Sequence, residues 1–245
     1  MVLKVIGSSS KGNCYILESD TEALIIEAGC KLLEVKKALQ WQLSKVVGCI
    51  ISHEHNDHAG YAKEYAQAGI KLLALPSVME AKGIEQRKVH CIKHIGTAYW
   101  VGSFYVQPFW VKHDVPCVGY VIEHKELGKL VFFTDTFACR YRFNGVTTYM
   151  VEANYCDELL EANIEAGSVP MVLRNRLMTS HMEIQNTLGF LRTSDLSQTH
   201  RVILVHLSGG NSDPESFERQ VKEATGLPTY IAKQGLELNV SKQPI

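Results

Sequence analysis

Short apolar runs, separated by clusters of glycine, serine, asparagine and charged residues, set the rhythm of this chain. Residues 2–6 and 14–17 form two such runs, joined by the polar turn Gly7-Ser8-Ser9-Ser10-Lys11-Gly12-Asn13, and residues 23–26 form a third. Runs this short, bounded by turn residues, predict strands. The same reasoning predicts strands at 46–51, 71–74, 99–101, 104–111, 118–122, 130–133 and 201–205. Helices are predicted over 32–39, 61–68, 157–166, 181–191 and 214–224. Early strands followed by strands mixed with helices favour a layered α/β fold over a helical bundle or a sandwich of sheets alone.

Four of the apolar runs stop at the same kind of residue. Val46-Val47-Gly48-Cys49-Ile50-Ile51-Ser52 ends at His53, the run from Phe104 at His113, the run from Leu130 at Asp135, and the run from Arg201 at His206. Side chains at the carboxyl ends of strands converge in the crevice at the sheet edge, where open α/β sheets carry their sites. The loop after the first run adds His55, Asp57 and His58. Three imidazoles and a carboxylate in one tight turn cannot all find hydrogen-bond partners on a plain surface loop, so this loop is a candidate metal centre. His113, Asp135 and His206 taken singly would serve equally well in a turn or a cap. Their order after the loop, each at a strand end, makes them candidate ligands too. Imidazole-rich ligation suits zinc first, with manganese or iron able to occupy similar sites.

Composition bounds the setting. A chain of 245 residues with 46% hydrophobic content buries one sizeable core, so a single domain over 1–245 is expected. Lysine and arginine total 25 against 26 acidic residues, and a formal charge of −1 provides no global field for a long polyanion or an anionic membrane. Any nucleic-acid contact is therefore local. The seven cysteines are scattered without a C-x-x-C pair, which predicts buried thiols in a reducing cytoplasm. Neither a signal peptide nor a run of about 18 apolar residues is visible, so a cytoplasmic protein with no membrane partner is expected.

The loop His53-Glu54-His55-Asn56-Asp57-His58 resembles the signature of the metallo-β-lactamase superfamily, and the likeness extends over nearly the whole chain. That resemblance implies a four-layer αββα sandwich with two divalent metal ions. His53, His55 and His113 would hold the first, Asp57, His58 and His206 the second, and Asp135 would bridge them. Gly7 to Asn13, His113-Asp114, Gly119-Tyr120, Thr134-Asp135-Thr136, Glu152-Ala153-Asn154 and His206-Leu207-Ser208 are similar to the small WalJ/YycJ-like branch. Those are bacterial exonuclease-like enzymes on the phosphodiesterase side of the superfamily, near tRNase Z. Glu27 stands where the family usually has Asp, a change that bears on ligand orientation and metal preference. The short stretch between Asp135 and His206 leaves out the β-CASP-type nucleic-acid clamp inserted in ribonuclease J relatives.

Two divalent ions about 3.5–4 Å apart can hold a hydroxide at neutral pH and neutralise charge on an attacked phosphorus or carbonyl, so no protein nucleophile is required. Phosphorus is favoured by the surroundings. Ser180-His181-Met182-Glu183 has the spacing of a capping box, which predicts His181 in the first turn of a helix whose free amides attract a phosphate. Arg174 and Arg176 lie just upstream, positioned to donate charge-assisted hydrogen bonds to the same group, and the loop from Ser208 to Asn211 offers further donors. Arg174, Arg176, His181 and Ser208 are thus candidate substrate contacts, and Asp57 and His181 the candidate catalytic residues. The expected activity is phosphodiester cleavage in a nucleic acid or a small, including cyclic, nucleotide. A carbonyl hydrolase acting on a lactam, lactone or thioester shares the metal site and stays open, as do a non-catalytic binding module and a homodimer completing the pocket. His90, His94, His124 and His200 read as surface or packing residues, Trp41, Trp100 and Trp110 as core or edge packing, and Arg140-Tyr141-Arg142 as a solvated face or a substrate contact.

Overall fold

Residue alternation along the apolar runs resolves into two sheets in the computed structural model, which describes residues 1–85 and 89–242. The first half of the chain forms β1 (Val2–Gly7), β2 (Cys14–Glu18), β3 (Ala23–Ile26), α1 (Leu32–Ala38), β4 (Val46–Ile50), α2 (Asn56–Ala59), α3 (Ala62–Gln67), β5 (Leu72–Ala74), α4 (Pro76–Lys82) and β6 (Val89–Cys91). The remainder forms β7 (Tyr99–Val101), β8 (Phe104–Val111), β9 (Cys117–His124), β10 (Gly128–Phe133), β11 (Thr148–Glu152), α5 (Asp157–Glu165), α6 (Met171–Ser180), α7 (Ile184–Arg192), β12 (Arg201–Val205), α8 (Pro214–Thr225), β13 (Thr229–Ile231) and β14 (Glu237–Asn239).

One sheet runs β14-β1-β2-β3-β4-β5-β6 and the other β13-β12-β11-β10-β9-β8-β7. Each begins as an antiparallel meander and continues with parallel strands: β3 to β6 in one, β10 to β13 in the other. All the parallel strands of a sheet deliver their carboxyl ends to one edge, and β8, two antiparallel steps from β10, points the same way.

Burial on both faces explains why these strands read as continuous apolar runs. Leu130, Phe132, Met150, Ile203 and Val205 join the core shared with the first sheet. Val131, Phe133, Tyr149, Val151, Val202 and Leu204 face the other way, onto Ile184, Leu188 and Leu191 of α7 and Phe217 and Val221 of α8. Leu32 and Val35 of α1 and Ala62 and Tyr65 of α3 pack on the first sheet, so helices flank both sheets and the layering is αββα.

Some elements depart from the sequence expectation. The helix expected from 181 begins at Ile184, capped by the Glu183 carboxylate on the Gln185 amide. β11 escapes prediction because threonines open its short run, and α6 because Arg174, Asn175 and Arg176 break any apolar face. Of the tryptophans expected in core or edge packing, none is in the core: Trp41, Trp100 and Trp110 are 66%, 70% and 47% exposed, and Trp100 packs on edge strand β7 against Tyr105. All seven cysteines are free thiols. Among the described residues no helix is long and apolar enough to cross a membrane.

Candidate metal centre

Three strand ends put a site residue into left-handed backbone: Glu27 after β3 (φ 67°), Asp135 after β10 (φ 54°) and His206 after β12 (φ 57°). Side chains other than glycine avoid this region, at a cost of about 1–3 kcal/mol each, and such strain collects at functional sites. Local contacts hold it in place. The Glu27 amide donates to Ile50 O (2.8 Å), and the His206 amide donates to Ser8 Oγ (2.9 Å) while its carbonyl accepts from Asn154 Nδ2 (2.7 Å).

Around these ends five imidazoles each turn one nitrogen inward, and in four of them the other nitrogen lies within 3.3 Å of a polar partner. His53 Nδ1 meets Ser52 Oγ at 2.9 Å, His55 Nε2 meets Asp114 Oδ1 at 3.3 Å, and His58 Nδ1 lies 3.6 Å from Glu27 Oε1. His113 Nδ1 is 3.2 Å from Ser180 O, and His206 Nδ1 is 3.2 Å from Glu152 Oε1. Partners of this kind fix the tautomer and aim the opposite nitrogen. The Ser180 carbonyl can only accept, so His113 Nδ1 carries the proton and its Nε2 a lone pair. That lone pair faces His55 Nδ1 at 3.2 Å.

These residues fit a pair of cations. His53 Nε2 is fully buried without a hydrogen-bond partner, an expensive state that a cation would relieve. His53, His55 and His113 bring one ligand atom each within 4.8 Å of one another, as do Asp57, His58 and His206, and His53, His58 and Asp135. Asp135 Oδ2 lies 2.9 Å from His58 Nε2, and Asp57 Oδ2 lies 3.2 Å from both His58 Nε2 and His206 Nε2. Burial, with His58 and His113 nearby, pushes His53 well below the usual imidazole range and keeps it neutral. Burial works the other way on Asp135, but His206 and His58 hold its carboxyl well below the usual range. The seven residues expected as ligands are all brought together.

A cavity of about 310 Å³ opens onto this cluster, lined by His55, Asp57, His113, Asp135 and His206 together with Ser10, Asn154, Arg176, Leu177, His181, Leu207, Ser208 and Asn211. Arg176, His181 and Ser208, three of the four residues expected to contact substrate, line this cavity, and two corrections are needed. His181 is not in the first turn of a helix: it terminates α6, three residues before α7, and presents its ring instead of a row of free amides. Arg174 is two residues from Arg176 on α6, and positions so spaced do not share a face. Its Nε binds Glu161 Oε1 of α5 at 2.5 Å, away from the cavity lining.

Two side chains given no role from the sequence prove central. Glu152, wholly buried at the end of β11, places Oε1 2.8 Å from His181 Nδ1 as well as beside His206, and its Oε2 accepts from the Thr136 amide at 3.0 Å. Burial would lower the His181 pKa, but Glu152 and then Asp135 overcome it and raise it above the ordinary value. The signal was present, since β11 also stops at a ligand-type residue. Asn13, from the glycine- and serine-rich turn, donates its amide to Asp57 O (2.7 Å) and places Nδ2 3.1 Å from His58 Nε2. Such a contact, 44 residues away in sequence, left no local trace.

Comparison with known proteins agrees with this geometry. The chain is 25% identical over 229 residues to the exodeoxyribonuclease WalJ of Streptococcus pneumoniae, covering 86% of this chain and 83% of that protein. It is 25% identical over 252 residues to the exodeoxyribonuclease YycJ of Bacillus anthracis, covering 96% and 93%. Among solved structures it is similar to the metallo-beta-lactamase fold protein YhfI of Bacillus subtilis, with a TM-score of 0.71 at 15% identity over 97% of this chain and 99% of that one. Residues 9–138 match the family model described as the metallo-beta-lactamase superfamily. Since that match takes in more than half of the chain and contains six of the seven clustered ligand residues, the protein belongs to the metallo-β-lactamase superfamily.

Proposed function

We propose that this hydrolase cleaves phosphodiester bonds in a nucleic acid or a nucleotide with the help of two divalent cations, zinc before manganese. His53 Nε2, His55 Nδ1 and His113 Nε2 would hold one cation, Asp57, His58 and His206 the other, with Asp135 between them. Bound there, the cations supply Lewis acidity and lower the pKa of water.

The remaining chemistry belongs to the chain. His181 carries the proposal: Glu152 holds its Nδ1, its pKa is raised, and it lines the cavity beside Asp135. With its pKa raised by Glu152, it is suited to give a proton to a departing alkoxide, which a sugar hydroxyl requires. Arg176, the one lysine or arginine among the described residues lining the cavity, together with Ser208 and Asn211, offers donors to the remaining phosphate oxygens. The exodeoxyribonuclease names of WalJ and YycJ support a nucleic-acid substrate.

The test is a panel on metal-reconstituted protein: a chromogenic phosphodiester, cyclic mononucleotides, single- and double-stranded DNA, a lactam and a thioester. Cleavage of phosphodiesters alone is expected, and it should vanish in Asp57→Ala and His58→Ala together with binuclear metal content. His181→Ala should slow DNA cleavage by about 10²–10⁴-fold and largely spare the nitrophenyl diester, whose leaving group needs no proton. Turnover of the lactam or thioester, with no phosphodiesterase activity, would replace this reading by a carbonyl hydrolase.

A further inference from the structure

Asp114 follows the ligand candidate His113 and touches three residues of the cavity lining, His55, His113 and Arg176; beyond its place beside His55 Nε2, its charge has no role in the chemistry proposed above. Its Oδ1 lies 3.3 Å from His55 Nε2 and 3.1 Å from His113 Nε2, and its Oδ2 lies 3.7 Å from Arg176 Nη2. One carboxylate thus touches three parts of the fold: the histidine-rich loop after β4, the end of β8, and α6. Because His113 Nδ1 is committed to Ser180 O, the nitrogen that can carry a proton toward Asp114 is His55 Nε2, 3.3 Å away. Arg176 is the partner on the other side.

That placement has a consequence for charge. Among the described residues the lining of the cavity contains no lysine and no arginine apart from Arg176, and Asp114 already sits beside it. At neutral pH a phosphodiester carries one negative charge, whereas a phosphomonoester, with a second pKa near 6, carries close to two. The second charge meets a rim with no uncommitted lysine or arginine among the described residues and with the fixed negative charge of Asp114 beside it. Discrimination of this kind works by repelling the wrong ligand rather than by gripping the right one harder.

We infer that Asp114 is a specificity-determining residue, which admits a singly charged phosphodiester and turns away a doubly charged phosphomonoester by engaging Arg176 and placing its own charge at the rim. This rests on the phosphodiesterase reading above.

Asp114→Asn removes the charge but keeps an oxygen beside His55 Nε2. In metal-reconstituted protein, kcat/KM for bis(4-nitrophenyl) phosphate and for 4-nitrophenyl phosphate share one leaving group and differ in charge. The variant should narrow the diester-to-monoester ratio by about tenfold, chiefly through the KM of the monoester, and should bind inorganic phosphate about tenfold more tightly by calorimetry. Metal content should stay at two per chain, and the gain should shrink in Arg176→Ala. An unchanged ratio and unchanged phosphate affinity would overturn the inference, as would loss of a cation from Asp114→Asn, which would make Asp114 a ligand. If the wild type cleaves neither ester the phosphodiesterase reading falls, while the phosphate titration still decides whether Asp114 repels a second charge.

Discussion

His206 shows how a single candidate ligand imidazole would tie protonation to metal binding. In the metal-free protein burial would lower its pKa, but Asp135, Asp57 and Glu152 together raise it to about 10, above the ordinary 6.5. Since the folded value lies above the unfolded one, the stability this group contributes is fully present below about 6.5 and is lost as pH rises through about 10. A divalent cation needs the same nitrogen unprotonated. Metal affinity should therefore climb with pH across that window, and binding should release protons. Calorimetry in buffers of differing ionisation enthalpy measures the number released, and a value of zero would contradict the assignment of His206 as a ligand. Glu152→Gln probes the same residue from behind: it should cost about 10–100-fold in metal affinity or turnover, because the amide orients His206 and His181 without charge.

Strand ends build the site, and the close approach of the elements between them sets its limits. Gly29, after β3, sits against the histidine-rich loop so tightly that a Cβ there would lie 1.8 Å from Asp57 O and 2.6 Å from Asn13 N. No side chain tolerates that, so Gly29→Ala must push the loop away, with an overpacking cost of about 1–3 kcal/mol. The expected result is loss of the cation held by Asp57, His58 and His206 with retention of the one held by three imidazoles. Metal analysis reading two tightly held cations in Gly29→Ala would refute it. The loop itself was legible from the sequence because its ligand residues are neighbours, and His113, Asp135 and His206 because each ends an apolar run. Glu152 ends such a run too, but Thr147 and Thr148 hid its strand. His181 was found for a wrong structural reason, as a helix start instead of a helix end. The Ser180 carbonyl behind His113 and the Asn13 amide behind Asp57 depend on tertiary contact alone, and no spacing rule reveals them.

At the scale of the whole molecule, each proposed cation site draws its candidate ligands from both sheets. His53 and His55 come from the loop after β4 in one sheet and His113 from the end of β8 in the other. Asp57 and His58 likewise face His206 at the end of β12. Without cations this edge of the sandwich carries buried, partly unsatisfied imidazoles and strained backbone, while the apolar core between the sheets is complete. Cations should therefore act as ties across the sandwich whose effect on stability follows mass action. At a free metal concentration of 100 times Kd the gain is about 2.7 kcal/mol, which for a chain of this size corresponds to a rise in Tm of about 5–11 °C. Thermal unfolding of chelator-treated protein, with zinc or manganese titrated back, measures that rise. His58→Ala and His113→Ala each remove a ligand to a different sheet-spanning site, so either should cut the rise and the double variant should abolish it. A Tm indifferent to metal in the wild type would mean that the two sheets are held by their apolar core alone and that the gathered imidazoles do not bind across it.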